Sequence, residues 1–369
     1  MYVITGWQVL SNMALLLLAL LFSKKAFKEP YVMKASSRFF AIISIFVIYL
    51  YAFHNLDYLG YKTMVDTYSI HFEEIYYDII DFVSGNYFLF RLIVFGSSYI
   101  LMLLALRRME VGFDLCFFFY AMTTVSVLSY SRFTLALSLS FLGYTFLIKP
   151  YKPKILSIAT GLVLIVFALE FHRSSLVLIP WYIASLFIHQ FNRKNIIIFV
   201  LLVAFVTLFY TLFGSELLVS ITQSDSLENY EANRSLGKGS GGNGLGITIL
   251  RILQYSKYYL TLYLFVIVVA KHNFKDWPLH MKKLSAFYVL IMILAFLFSF
   301  NLEGTSTGLL YYRTLYYSSI AMVIFLAYCY KNNIRRKFVR IIIYLGLLSQ
   351  IYEISYHAYQ AFLGQMISG

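Results

Sequence analysis

The sequence predicts an all-α fold, a polytopic membrane helical bundle with about twelve transmembrane helices. Of its 369 residues, 60% are hydrophobic and only 13% are charged, and the mean hydropathy is +0.74. A soluble chain of this length would have too few polar residues to cover so large an apolar core. The apolar residues also form runs of about 16–22, the length that crosses a hydrocarbon layer of roughly 30 Å.

Each apolar run is a candidate span, and the chain 1–369 is predicted to form one integral membrane domain. The first run has no basic segment before it and no small-residue cleavage site after it, so we expect a retained span and not a signal peptide. The predicted spans are 3–22, 38–53, 87–106, 112–129, 133–148, 155–170, 174–190, 195–213, 247–270, 284–300, 312–330 and 339–362.

The basic residues are concentrated in every second connection between these spans. Of the 30 basic residues, 21 follow the odd-numbered spans. By the positive-inside rule those connections are cytoplasmic, and both termini are predicted to lie outside. The net charge of +13 therefore indicates orientation and contact with anionic membrane lipids. It does not support a nucleic-acid partner.

Two long connections are predicted to be outer loops, at 54–86 and 214–246. The first mixes acidic and aromatic residues, and part of it is expected to form an amphipathic helix on the outer face. The second contains the glycine-rich stretch 237–246, which cannot hold a fixed backbone cheaply. It is either a linker or a gate over a site.

Nine basic residues, among them Lys257 and several arginines, are predicted at or beyond the outer ends of spans, where the positive-inside rule disfavours them. Arg132, Arg173 and Arg313 lie where helices are predicted to enter the membrane from outside. Free backbone N–H groups there favour an anion, and the planar guanidinium suits phosphate. These residues are candidate ligands of a diphosphate, with Arg251 and Arg91 as further candidates. The alternative is that the side chains extend to lipid headgroups.

Candidate proton acceptors occur in two places. His172 is next to Arg173, and a neutral imidazole there could take a proton from a sugar hydroxyl. It could instead be a helix-capping residue. The last span carries Gln350, Glu353, His357 and Gln360 on one helical face. That face is either a packing network or a wall of the substrate cavity, and Glu353 and His357 are the alternative candidates for the base.

Aromatic residues are abundant, with 33 tyrosines. Many occur near the predicted outer ends of spans, where they could form an interfacial belt or stack on sugar rings. The sequence contains no HExxH or CxxC pattern. We therefore expect neither a metal nor another cofactor.

Four short motifs follow one another in a defined order. They are Asp66-Thr-Tyr68, Ser131-Arg132 with Ala136, His172-Arg-Ser-Ser-Leu176, and Tyr312-Arg313 with Tyr316. In this order and spacing they resemble the EpsG/Wzy group of bacterial polysaccharide polymerases. The motif at Arg132 departs from that pattern, because Phe133 stands where the group has glutamine.

The resemblance implies a helical fold similar to the GT-C class of glycosyltransferases. It implies that the protein joins oligosaccharide repeat units carried on undecaprenyl diphosphate at the outer face of the bacterial inner membrane. No metal or nucleotide is needed, because the leaving group is already activated. Asp66, Tyr68, Tyr312 and Tyr316 are then expected to contact sugars, and a chain-length regulator is an expected partner.

Two other functions remain open at this point. A flippase for the same lipid-linked sugar would place ionisable groups near the middle of the bilayer and show repeated broken helices. Here the charges lie at the predicted outer rim and no internal repeat is evident. An outer-face O-antigen ligase would share the diphosphate site but use another acceptor, and a membrane acyltransferase would need a thioester donor.

Overall fold

A computed structural model describes residues 5–53, 57–68, 74–129, 133–187, 245–271, 274–299 and 305–368, which contain helices and no strand. The α-helices, numbered in chain order, are α1 (Gly6–Ser23), α2 (Ala35–Tyr51), α3 (Asp57–Thr67), α4 (Glu74–Val83), α5 (Tyr87–Arg91), α6 (Ser97–Arg108), α7 (Phe113–Thr123), α8 (Val125–Leu128), α9 (Phe133–Ile148), α10 (Lys154–Phe171), α11 (Ile179–Phe187), α12 (Leu245–Lys271), α13 (Leu279–Ser299), α14 (Thr305–Lys331) and α15 (Arg336–Ser368). A π turn, Leu92–Gly96, joins α5 to α6.

Six helical stretches of this part of the chain are long and apolar enough to cross a membrane. Four shorter apolar helices accompany them. The predicted all-α, multi-pass membrane bundle is therefore confirmed. Eleven of the twelve predicted spans coincide with helices, whereas the span at 195–213 lies outside the described residues. The count of twelve stays a prediction.

The outward faces of the peripheral helices are apolar, as lipid contact requires. Helix α10 buries a stripe that includes Gly161, Ile165 and Ala168. Its opposite side exposes Ile155 and Val163. A helix that is apolar on both its packed and its exposed side is suited to hydrocarbon and not to water.

The centre of the bundle is formed by four helices that are buried nearly all round. These are α7, α9, and the greater parts of α13 and α14. Neighbours in sequence pack as antiparallel pairs, most extensively α9 with α10 and α13 with α14. Helix α15 packs against α12, α7 and α1, so the last helix contacts the first.

The basic connections gather at one end of the helices, which we call the basic end. There the Arg38 guanidinium donates to both Asp114 carboxylate oxygens, each at 2.7 Å. Lys149 pairs with Glu110, and this hydrogen bond holds the pKa of the Glu110 carboxyl below its ordinary value. Ion pairs thus fix several turns at this end.

The connection 54–86 contains two helices, α3 and α4. Helix α4 buries Tyr76, Ile80 and Val83 and exposes Phe82. The spacing of four and three residues puts the buried side chains on one face. The predicted amphipathic helix is therefore confirmed, whereas its place on the outer face stays a prediction. The other predicted outer loop, 214–246, lies almost wholly outside the described residues.

Candidate functional site

His172 lies in a tight turn at the end of α10. Its backbone N–H still donates to Ala168 at 3.2 Å, while its own φ of −164° leaves the helix. The His172 carbonyl then accepts from the Ser175 backbone N–H at 2.9 Å and from the Ser175 hydroxyl at 2.8 Å. Serine three residues later thus closes the turn, and a 3₁₀ helix, Arg173–Leu178, begins.

The His172 side chain joins an aromatic cluster. The imidazole, whose residue is only 7% exposed, meets the Phe133 ring edge-on, with centroids 6.3 Å apart. Phe133 stacks on Tyr316 with centroids 5.9 Å apart and an angle of 4° between the rings. Tyr317 meets the same ring at 5.5 Å. We call these four residues the His172 cluster.

The His172 cluster lies at the end of the bundle opposite the basic end. It is formed by the start of α9, the end of α10 and the N-terminal half of α14. The other ends of these helices meet the basic residues Lys149, Lys154 and Lys331. The aromatic rings therefore bring together segments that the sequence predicts to be on one side of the membrane.

Three of the arginines that are predicted to bind the diphosphate lie close in sequence to members of this cluster. Arg132 directly precedes Phe133, but it lies outside the described residues. Arg173 directly follows His172, and its backbone opens the 3₁₀ helix. Arg313 is half-buried and lies one helical turn before Tyr316.

Helix α14 begins earlier than the sequence predicts. The apolar run suggests a start at 312, whereas the helix begins at Thr305. Arg313 therefore lies about two turns inside the helix. Free backbone N–H groups occur only in the first turn of a helix, so none lies beside this guanidinium. Arg313 could therefore bind a diphosphate only through the N–H groups of its own side chain.

Helix α4 packs against the end of α10, next to the cluster. Tyr76 is buried and meets Phe171 edge-on at 6.1 Å. The predicted sugar-binding residues Asp66 and Tyr68 lie at the end of α3, where Asp66 accepts from Lys62 at 2.8 Å. Tyr68 is exposed. No contact in the described residues joins either of them directly to the His172 cluster.

Arg91 is a buried link between helix ends. It is 1% exposed, and it donates to the backbone carbonyls of Leu50 at 2.9 Å, Tyr49 at 2.5 Å and Ser129 at 3.0 Å. Its guanidinium also lies 3.7 Å from the Phe95 ring centroid. These contacts join the end of α2 to the end of α8, three residues before Arg132. They favour a positioning role, and diphosphate binding by Arg91 stays a prediction.

A polar group surrounds a break between α7 and α8. At Thr124 the backbone leaves helical geometry, with φ −136° and ψ −8°. Gln350 bridges the break, since its side chain donates to the Ala121 carbonyl and accepts from the Ser126 N–H, both at 2.9 Å. Gln350 thus belongs to a packing network, one of the two interpretations of the polar face on the last span.

Lys257 completes the same group. It is fully buried, donates to the Thr123 carbonyl and interacts electrostatically with Glu353, which is 2% exposed. The sequence assigns Lys257 to the outer rim, but the structure buries it. One buried cation and one buried anion offset each other here, as groups in a membrane interior require.

Helix α14 connects this polar group with the His172 cluster. Ser319, one turn beyond Tyr316, hydrogen-bonds to the Tyr258 hydroxyl at 2.7 Å. Tyr258 is adjacent to Lys257 in the chain. Lys257, Tyr258 and Ser319 thus link Glu353 to the helix that carries Tyr316.

Three further candidates have described backbones only. Arg251 lies in the second turn of α12, Tyr312 lies one residue before Arg313 in α14, and His357 lies one turn after Glu353 in α15. Their predicted roles remain predictions, as does that of Arg132.

Some members of the site were missed by sequence reasoning. The sequence marks Phe133 only as a departure from the family pattern, and Tyr76 and Tyr317 are two of its many tyrosines. Their signal is positional: each is next to or one turn from a basic or titratable residue. Gln254 on α12, which is buried and lies one turn from Lys257, had no signal apart from its polarity in an apolar run.

Comparisons with known proteins identify the family of the chain. No curated protein and no solved structure matches the chain, so the likeness to the GT-C class stays a prediction. The family model of the EpsG family matches residues 36–365. That range includes every candidate residue of the site and, apart from the first residue of α2 and the last three residues of α15, every α-helix described after α1. The chain therefore belongs to the EpsG family, a family of membrane proteins that are similar to Wzy-type polysaccharide polymerases.

Proposed function

We propose that this protein polymerises oligosaccharide repeat units carried on undecaprenyl diphosphate. The reaction takes place at the outer face of the bacterial inner membrane, with both termini outside and without a metal or other cofactor. The observation that carries this proposal is the His172 cluster. It joins a titratable imidazole, a stacked aromatic pair and the neighbours of three arginines at the end of the bundle opposite the basic end.

The chemistry requires a proton acceptor and an anion site. The hydroxyl oxygen of one repeat unit attacks the anomeric carbon of the growing chain, and the bond from that carbon to the diphosphate oxygen breaks. The hydroxyl proton passes to the His172 imidazole. The lipid diphosphate leaves as an anion, which Arg132, Arg173 and Arg313 stabilise through bidentate hydrogen bonds.

The stacked rings offer a surface for the sugar. Phe133 and Tyr316 are nearly parallel, and Tyr316 is half-buried, so one ring retains contact with the surroundings. Sugar rings carry apolar C–H faces that pack on aromatic rings, and the tyrosine hydroxyl supplies a polar contact at the edge. This arrangement would hold an acceptor sugar beside the imidazole.

The first test replaces His172 by glutamine. In a strain that lacks the gene, the wild-type chain should restore long surface polysaccharide. His172→Gln should leave single repeat units, because glutamine can hydrogen-bond but is not an effective base. The loss expected for a general base is about 10²–10⁴-fold in rate. Polysaccharide length on a gel, at matched protein levels, is the measurement.

His280→Gln is the matched control. His280 is half-buried at the start of α13, at the basic end, and the variant should make polysaccharide of normal length. Long polymer from His172→Gln would contradict the base assignment, and Glu353 and His357 would become the next candidates. Repeat units that never reach the outer face in the deletion strain would instead indicate a flippase.

A further inference from the structure

A groove opens at the basic end, far from the His172 cluster. It is a cavity of about 660 Å³ between α2, α6 and the start of α7. Its charged lining residues are Arg38, Arg107, Asp114 and Lys331. Neither the proposed reaction nor the diphosphate site uses any of these residues.

The charges of the groove do not cancel. Asp114 already accepts three hydrogen bonds, two from Arg38 and one at 2.7 Å from the Met33 backbone N–H. Its negative charge is therefore offset by Arg38. Arg107 and Lys331 are exposed, and within the described residues neither makes an ion pair. Two cationic side chains thus face the groove with their donors available.

The deeper wall of the groove is apolar. Along α6, Ile100, Leu103, Leu104 and Arg107 follow a spacing of three, one and three residues, so they form one stripe on the helix. Ile100 is 51% exposed and Leu104 is 47% exposed. The stripe therefore runs from open apolar surface to a cation at the basic end.

Helix α2 forms the facing wall with the same polarity. It runs antiparallel to α6, so Arg38 lies at the basic end and Ile42 lies one turn deeper. The Tyr99 hydroxyl donates to the Ile42 carbonyl at 3.0 Å, which holds the two helices together below the groove. Both walls thus carry charged side chains at the membrane boundary and apolar side chains towards its interior, and the positive charge that is not offset lies on Arg107 and Lys331.

We propose that this groove binds an anionic phospholipid. The lipid phosphate pairs with Arg107 and Lys331, and an acyl chain lies along Ile100 and Leu104. Basic pockets between membrane helices on the cytoplasmic side suit such headgroups, and the basic end is predicted to be cytoplasmic. A free phosphate would not contact the apolar stripe. A zwitterionic headgroup would place its own positive charge next to Arg107 and Lys331, which would repel it.

The neighbouring cavity helps to separate this groove from general surface charge. It measures about 540 Å³ and shares Leu104 and Arg107 with the groove. Its other cations are already engaged: Arg108 donates to the Lys149 carbonyl and lies 3.8 Å from the Phe146 ring centroid, and Lys149 pairs with Glu110. Arg107 and Lys331, which have no ion-pair partner among the described residues, thus both line the groove.

The test measures lipid-dependent thermal stability of the full chain purified in a non-ionic detergent. Phosphatidylglycerol should raise the melting temperature in a saturable way. Phosphatidylcholine with the same acyl chains, and inorganic phosphate alone, should not. In Arg107→Gln with Lys331→Gln the half-saturating phosphatidylglycerol concentration should rise by about fivefold for each basic residue removed.

Two controls make the result specific. Lys154→Gln with Lys337→Gln removes the same charge from exposed positions at the basic end outside the groove, and should bind as the wild type does. Arg107→Lys with Lys331→Arg keeps the charge and should restore binding. Equal stabilisation by inorganic phosphate, wild-type binding by the groove variant, or equal weakening by the outside variant would each overturn the proposal.

Discussion

Backbone carbonyls take up much of the positive charge that is buried in this protein. Arg91 and Lys257 both lie deep among the helices and both donate to main-chain oxygens at helix ends. Arg313, by contrast, is only half-buried and lies a turn from the His172 cluster. Buried cations with backbone partners stabilise the fold, whereas a cation beside an open aromatic surface can meet a substrate.

The buried pair of Lys257 and Glu353 should be sensitive to loss of one partner. Glu353→Leu leaves a buried ammonium without its anion, and we expect about 3–5 kcal/mol of destabilisation. Lys257→Met with Glu353→Leu should cost much less, because no charge is left behind. A double-mutant cycle on thermal unfolding in detergent measures the difference. Lys62→Ala, which breaks the exposed pair with Asp66, should change stability by under about 1 kcal/mol.

The arginines adjoining the His172 cluster should control the rate of polymerisation. Arg132→Ala and Arg313→Ala should each lower it by about 10²–10³-fold, the usual effect of losing a donor to the transition state. Arg→Lys should recover only part of this, because the fork is lost. In vitro polymer formation from lipid-linked repeat units is the measurement. Arg335→Ala, at an exposed position of the basic end, should be neutral. Normal rates in both alanine variants would move the diphosphate site elsewhere.

Sequence reasoning predicts chemical groups of the candidate site more readily than it predicts their surroundings. His172 and Tyr316 stood out through residue type and order, and the structure joins both to Phe133. The prediction that Lys257 lies at the outer rim did not anticipate its burial. The distribution of charges along the sequence indicates which end of a span a residue is near, but it does not indicate which face of the helix the residue occupies. That face depends on packing between helices distant in sequence, as between α7 and α12.

At the scale of elements, helices α9 and α10 approach closely enough for their backbones to touch. A methyl group added at Gly143 would come within 2.6 Å of the Gly161 carbonyl oxygen, and one added at Gly161 would come within 2.7 Å of the Gly143 oxygen. Small residues permit such approach in membranes, where packing drives helix association. This pair holds together the two helices whose ends carry Phe133 and His172.

Gly143→Ala should therefore destabilise the protein, by about 1–3 kcal/mol, as overpacking does. The neighbouring atom is backbone, so the helices must separate to admit the methyl group. Gly60→Ala is the matched control, since nothing lies within 4 Å of a methyl group there. In that helix alanine should be neutral or stabilising by about 0.5–1 kcal/mol. The order of melting temperatures checks the prediction, and equal values for both variants would contradict it.

Long helices were predictable because the length of an apolar run is set by the thickness of the bilayer. Local departures from regular helix were not. The break at Thr124 depends on Gln350 and Lys257, which reach it from distant helices. The π turn before α6 and the early start of α14 likewise have no counterpart in hydropathy.

For the whole molecule, the proposed reaction depends on orientation in the membrane, because the His172 cluster must lie at the outer face. Cysteine probes at Lys154 and Ser240 should label from opposite sides, with Ser240 outside, because the first follows a basic turn and the second lies in a predicted outer loop. The native Cys116 and Cys329 are buried, so they should react little with a membrane-impermeant reagent. Labelling of both probes from one side would overturn the topology and the outer-face reaction with it.

The contacts of Arg91 have an electrostatic consequence for an anionic substrate. The carbonyl ends of α2 and α8 converge on it, and such helix ends carry the negative pole of the helix dipole. Without a cation, that field would repel a diphosphate approaching the segment that follows Ser129. By holding both carbonyl ends, Arg91 neutralises the repulsion where it arises. In the proposed reaction, the positive charge of the neighbouring arginines then acts on the diphosphate instead of on the protein's own backbone.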